Sequence, residues 1–289
     1  MCRFYETKAK KRLCSFASAF RTSSSAVLII FIMWYLSKVI AAFGRFSCGE
    51  RCNGMPDEQE PSGSPLRQVR ILFIGNSHTY RHNIPSTLFR MAKALYPPVN
   101  IAIDSRVGEG VSLAWHWGNP ETIQNIERGY WDYVVLQERS GGPLEDRLSM
   151  EKYGLSFDRK VRNSGARTIL YMTWARRDRP ETQSAITKAY NDLQKQTGAL
   201  LAPVGSVWER CRSMFPGMNL YDPDGRHANA LGAYLSACTF FHLIYGRSPE
   251  GLAEVVFSRE RCASFGGKER LAALERIVHE VVDRTMEPA

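Results

Sequence analysis

Apolar and polar positions along this chain fall into two regimes. Between residues 26 and 43 almost every position is apolar: Ala26-Val-Leu-Ile-Ile-Phe-Ile-Met-Trp-Tyr-Leu36, an interruption at Lys38, then Val39-Ile-Ala-Ala-Phe43. From residue 67 onward, short apolar runs alternate with stretches of helical spacing. Val69-Arg-Ile-Leu-Phe-Ile74 ends in Gly-Asn-Ser, the pattern of a buried strand running into a turn. The same reasoning predicts strands over 99–103, 130–136, 167–173 and 200–204. Helices are predicted over 85–95, 119–128, 146–164, 181–197, 228–245 and 268–285; the first carries Leu88, Met91 and Leu95 on one face. Strands alternating with helices imply an α/β chain whose parallel sheet is covered on both faces. In such a sheet, chemistry belongs in the loops just past the carboxyl ends of the strands.

The first regime reads as a targeting or anchoring segment. Basic residues at 8–12 and Arg21 precede the apolar run, as in a secretory signal. The run is also close to the ~20 residues that span a bilayer, with Lys38 placed to snorkel. Residues 1–43 are therefore expected to be a signal peptide or a membrane anchor. Residues 44–66, rich in Gly, Pro, Ser and acids, form a disordered linker, and 67–289 are the folded domain. The domain should lie outside the cytoplasm, with the membrane as partner of the N-terminal segment.

Composition narrows the classes. The chain has 289 residues, 44% hydrophobic and 23% charged, which excludes wholesale disorder, collagen and a coiled-coil rod. The net charge is +9, but +4 of it lies in residues 1–66 and no Lys/Arg-dense run follows, so nucleic acid is not an expected partner. Of seven cysteines, Cys48 and Cys52 are candidates to pair outside the cell, and Cys238 reads as a small core residue. No Cys/His set has zinc spacing, so no metal and no cofactor is expected.

The predicted strand ends carry polar residues. The first ends in Gly75-Asn76-Ser77-His78-Thr79, where Ser77 is a nucleophile or a helix cap. After the second comes Arg106-Val-Gly108-Glu-Gly110-Val-Ser112-Leu113, whose glycines offer unobstructed N–H groups or an ordinary turn. The third ends in Gln137-Glu138-Arg139; an amide there donates to a developing oxyanion or satisfies a loop. Asp224-Gly-Arg-His227 follows near the C-terminal end. An acid three residues before a histidine can hold its Nδ1–H, leaving Nε2 to take a proton from serine. Trp115-His116-Trp117 offers a sugar-stacking rim or a core edge. Arg176, Arg177 and Arg179 offer an anion dock or a solvated loop. His78 and His82 flank Ser77 without an acid at a suitable offset.

Taken together these blocks resemble the SGNH, or GDSL-like, hydrolase superfamily, over about residues 67–250. Gly75-Asn76-Ser77 resembles its nucleophile block, Gly110 its glycine block, Gln137 stands where asparagine is usual, and Asp224-Gly-Arg-His227 resembles its final block. Phe73-Ile-Gly-Asn-Ser-His-Thr79, Val134-Val-Leu-Gln-Glu138 and Thr173-Trp-Ala-Arg176 are similar to a bacterial domain-of-unknown-function branch. The resemblance implies a three-layer, flavodoxin-like α/β/α sandwich with a five-stranded parallel sheet. It implies Ser77 as nucleophile, His227 as base, Asp224 as orienting acid, and an oxyanion hole of Ser77 N–H, Gly110 N–H and the Gln137 side chain. Gly108 is the alternative to Gly110. Trp115 and His116 are expected to touch substrate. The expected activity is that of a serine esterase removing a small acyl group, such as acetyl, from a carbohydrate or other small ester. The rivals are a non-catalytic carbohydrate-binding protein on the same scaffold and a membrane-associated interaction protein.

Overall fold

The computed structural model describes residues 68–287 apart from 96 and 98. The signal or anchor segment, the linker with Cys48 and Cys52, and their expected roles lie outside the described residues. Among those described, no helix is long and apolar enough to cross a membrane.

Strand β1 (Gln68–Asn76) is followed by a single-turn helix α1 (Ser77–Tyr80) and by α2 (Ile84–Lys93). Next come β2 (Asn100–Gly108), α3 (Leu113–Trp117), α4 (Pro120–Arg128) and β3 (Tyr133–Leu136). Helices α5 (Gly142–Glu145) and α6 (Arg147–Asn163) lead to β4 (Arg167–Tyr171), α7 (Gln183–Thr197) and β5 (Leu200–Ala202). The chain ends with α8 (Val204–Met214), α9 (Ala230–Tyr245), α10 (Ala253–Val256), α11 (Arg259–Ser264) and α12 (Gly267–Met286).

The five strands pair in the order β2-β1-β3-β4-β5, all parallel. This is the flavodoxin-like order, in which the chain reverses direction across the sheet at the β1/β3 boundary. Side chains of a strand alternate between faces. Ile71 and Phe73 accordingly pack into one core with residues of α2, α8, α9 and α12. Leu72 and Ile74 pack into the other, with residues of α3, α4, α6 and α7. The result is the expected three-layer sandwich. Helix α9 is apolar nearly all round and almost wholly buried, with Cys238 fully so.

The differences from the sequence reading have physical causes. Strand β2 runs on through Asp104, Ser105 and Arg106, because an edge strand keeps one flank in solvent and tolerates polar positions. Strand β3 starts only at Tyr133; Tyr130, 85% exposed, sits at φ 48 and cannot belong to a ladder. Helix α8 follows Pro203 directly and was hidden by the brevity of β5.

Candidate active site

Strands β1 and β2 end side by side, Asn76 in register with Gly108. Asn76 caps α1: its Oδ1 accepts from His78 N–H at 3.1 Å, while its Nδ2 donates to the Val111 carbonyl at 2.9 Å. Those two bonds tie the turn that presents Ser77 to the loop after β2. Gly75 is required here, since a Cβ would stand 2.5 Å from Gln137 Oε1 and 2.7 Å from Thr79 Oγ1.

The loop before α9 comes over this turn. His227 Nε2 and Ser77 Oγ are 2.8 Å apart, and His227 Nδ1 and Asp224 Oδ2 are 2.5 Å apart. A carboxylate only accepts, so Nδ1 carries the proton and Nε2 faces the serine hydroxyl as acceptor. Asp224 Oδ1 accepts two further bonds, from the N–H groups of Arg226 at 2.9 Å and His227 at 3.0 Å. Partial burial pushes the Asp224 pKa up, but the His227 ring and these two N–H groups outweigh it and hold the carboxyl well below the usual carboxylate range. The ring of His227 is 7% exposed, whereas Asp224 is 38% exposed.

Sequence reasoning missed the groups that hold this loop. Trp174 Nε1 donates to the Arg226 carbonyl at 2.9 Å, and the Trp174 ring stacks on Trp208 with centroids 4.0 Å apart. Arg177 N–H donates to Gly225 O at 2.9 Å and its guanidinium donates to Pro223 O at 3.3 Å. Arg177 is thus a tether of the loop that carries Asp224 and His227. From the opposite side, Arg81 approaches Asp224 at 3.7 Å and His82 Nε2 lies 3.2 Å from Asp222. His82 and Asn83 adopt positive φ, 53° and 50°, a strained turn that brings these side chains up to the loop. The only signal in the sequence was the cluster of Trp174 and arginines directly after a strand.

His78 is buried between the Trp174 and His227 rings, with centroids 5.0 and 5.1 Å away. Burial, then the neighbouring His227, pushes its pKa down to about 3. It is a neutral packing partner of the His227 ring.

Three expected site residues sit differently. Gln137 is fully buried and all its amide capacity is engaged. Its Oε1 accepts from Asn76 N–H at 2.8 Å and from the Thr79 hydroxyl at 3.0 Å. Its Nε2 donates to Asn76 Oδ1 at 2.9 Å and Glu138 O at 2.5 Å. Both amide hydrogens are engaged in this arrangement, and Gln137 ties the turn that presents Ser77 to the end of β3. His116 is 1% exposed; its Nε2 donates to Gly75 O at 2.8 Å and its Nδ1 faces Thr122 Oγ1 at 3.4 Å. It supports the β1 end from within the fold, shielded from solvent. Burial lowers its pKa, the bond to Gly75 working against that. Gly110 lies two residues past the end of β2 at φ +62 in an exposed turn, whereas Gly108 is beside Asn76.

Trp115 is 51% exposed, with its ring edge-on to His116. Glu138 is buried, accepting from Leu113 N–H at 3.2 Å and Arg139 N–H at 2.8 Å, so it caps α3. Burial raises its pKa. A cavity of about 260 Å³ lies behind Trp174, walled also by Gln183, Trp208, Arg212 and Tyr221, and none of the Ser77, Asp224 and His227 side chains lines it.

The layers and strand order are those of solved structures with the SGNH hydrolase fold. No family model matches the chain, and no curated protein does. Among solved structures, a protein described as an SGNH hydrolase from Slackia heliotrinireducens is 24% identical, with a TM-score of 0.53 over 62% of this chain and 100% of that one. A DUF4886 family protein from Bacteroides uniformis is 18% identical, with a TM-score of 0.63 over 77% of this chain and 98% of that one. An acetyl xylan esterase is 14% identical, with a TM-score of 0.50 over 61% of this chain and 100% of that one. At these identities the likeness concerns the fold, and the activities named are those proteins' own.

Proposed function

We propose that this chain is a serine esterase. The observation that carries the reading is the continuous relay of 2.8 Å from Ser77 Oγ to His227 Nε2 and 2.5 Å from His227 Nδ1 to Asp224 Oδ2. Ser77 Oγ attacks the ester carbonyl while His227 Nε2 takes its proton, and Asp224 stabilises the resulting imidazolium. The Ser77 N–H, at the first position of α1 and so without an intrahelical partner, and the Gly108 N–H receive the oxyanion. Gly108 is preferred to Gly110 because its register beside Asn76 brings its backbone nearer the nucleophile turn. The tetrahedral species collapses as His227 returns its proton to the alkoxide, releasing the alcohol and leaving acyl-Ser77. Water, deprotonated by the same nitrogen, then frees the acid and restores the serine.

The substrate reading is a small acyl ester, with acetyl on a carbohydrate as its centre. Two features favour it: the exposed Trp115 indole on the short helix α3 after β2, a face on which a pyranose can stack, and the acetyl xylan esterase among proteins of this fold. The N-terminal basic and apolar run favours export, placing the reaction in the cell envelope. A panel of esters of graded acyl length, sugar acetates included, tests the reading. Turnover should be highest for acetyl and should vanish in Ser77→Ala; turnover that persists in Ser77→Ala contradicts it.

A further inference from the structure

Far from the serine, a second set of chemically active side chains gathers where α9 meets α12. His242 lies in the last turn of α9, and His279 and Asp283 stand one turn apart on α12. The two imidazole rings are 4.5 Å apart between centroids. One nitrogen from each ring and one carboxylate oxygen lie within 4.8 Å of one another.

The hydrogen bonding of His242 makes this more than a surface cluster. Its Nδ1 lies 2.9 Å from the Arg247 carbonyl oxygen, which can only accept, so Nδ1 carries a hydrogen. Its Nε2 is 2.7 Å from Asp283 Oδ1. A lone pair and a carboxylate oxygen so close repel unless a positive charge lies between them, and that charge is a proton or a metal ion. His279 Nε2 is 3.4 Å from the other oxygen, Asp283 Oδ2, and its Nδ1 is buried with no hydrogen-bond partner. No hydrogen bond of that buried nitrogen therefore fixes the ring's present rotation. The three groups differ in access: the His242 side chain is 2% exposed, while His279 and Asp283 are 44% and 45% exposed. A fixed interior ligand thus faces two that solvent can reach.

We propose that His242, His279 and Asp283 form a Zn²⁺ site that clasps the C-terminal helix α12 to the core helix α9. Two imidazoles and a carboxylate suit a borderline transition ion, whereas Mg²⁺ and Ca²⁺ demand all-oxygen shells. Residues four apart on a helix present both side chains on one face, and α9 supplies the third ligand. A tetrahedral ion with ~2.0–2.1 Å bonds separates adjacent ligand atoms by roughly 3.3 Å. Asp283 must therefore withdraw slightly from His242, which its exposure allows. Water completes the shell on the open side. The carbonyl of Arg247 behind His242 is the partner that orients a ligating imidazole. The site is independent of the esterase reading: α9 begins three residues after His227, and His242 lies twelve residues further along it, about 18 Å of helix.

The test uses the full chain, stripped of metal and titrated with Zn²⁺ against a chromophoric chelator, beside His279→Ala and Asp283→Asn. Thermal melts are recorded with Zn²⁺ and with Mg²⁺. The wild type should bind one more equivalent of Zn²⁺ than either variant, or bind it at least tenfold more tightly. Its melting temperature should rise by several degrees with Zn²⁺ and not with Mg²⁺, a response both variants lose. Zinc held by cysteines elsewhere in the chain is common to all three proteins and cancels. Equal zinc stoichiometry, affinity and thermal response in the three proteins overturns the proposal.

Discussion

Replacing Gln137 by alanine separates a lock from a catalyst. The side chain is fully buried and makes four hydrogen bonds, two into Asn76, one from Thr79 and one to Glu138 O. Truncation leaves the buried Asn76 N–H without an acceptor. It also removes a donor from Asn76 Oδ1, which keeps only the bond from His78 N–H. One stranded buried group costs about 1–3 kcal/mol, and the vacated volume adds to it. A loss near 3 kcal/mol corresponds to a fall of roughly 6–12 °C in melting temperature for a domain of this size. Gln137→Glu should be at least as damaging, because it sets an oxygen against Asn76 Oδ1 and Glu138 O in the same dry space. The assay is a calorimetric melt beside kcat for a short-chain ester, taken well below either transition. An oxyanion donor would behave otherwise: an unchanged melting temperature with kcat lowered by about 10²–10³. That outcome would refute the lock.

Further outcomes follow from the site. His116→Ala strands the Gly75 carbonyl and should lower stability by about 1–3 kcal/mol, while Trp115→Ala should leave the melting temperature unchanged and raise KM for sugar esters; paired melts and kinetics read both. Trp174→Phe deletes the bond to Arg226 O but keeps the stack on Trp208, so kcat should fall several-fold with a stability loss of about 1 kcal/mol. Asp224→Asn should reduce kcat by up to ~10⁴, less than Ser77→Ala, because the amide can still hold the ring, in the wrong tautomer. His78 has a folded pKa of about 3, below its unfolded 6.5, so between those values the unfolded chain binds a proton that the folded chain refuses. Stability from this group is full above pH 6.5 and drains as the pH falls toward 3; His78→Gln should flatten the slope of melting temperature between pH 7 and 4.5.

The reach of the sequence follows from what each feature depends on. Buried parallel strands are continuous apolar runs, so β1, β3 and β4 were legible, and parallel topology directed attention to their carboxyl ends. Ser77, Asp224 and His227 were picked out because their types and order suffice to suggest a relay. The hydrogen bonds of Gln137 and His116 were not legible because the fate of a polar side chain depends on neighbours distant in the chain. Asn76 Oδ1, sixty-one residues from Gln137, takes one of its hydrogens, and Gly75 O, forty-one residues from His116, takes the imidazole proton. The register that sets Gly108 beside Asn76 was likewise hidden, because spacing does not reveal that β2 extends through polar edge positions. The braces Trp174, Arg177 and Arg81 are legible only once the loop they hold has been placed.

The central claim is that Ser77 is the nucleophile served by His227. The most direct measurement is covalent labelling of the full chain with a fluorophosphonate, followed by peptide mass spectrometry. One phosphonyl adduct should appear on Ser77, with loss of esterase activity in step with labelling, and none should form in Ser77→Ala or, at the same rate, in His227→Ala. An adduct on another serine, or full ester turnover by protein that carries no adduct after exhaustive treatment, would contradict the account.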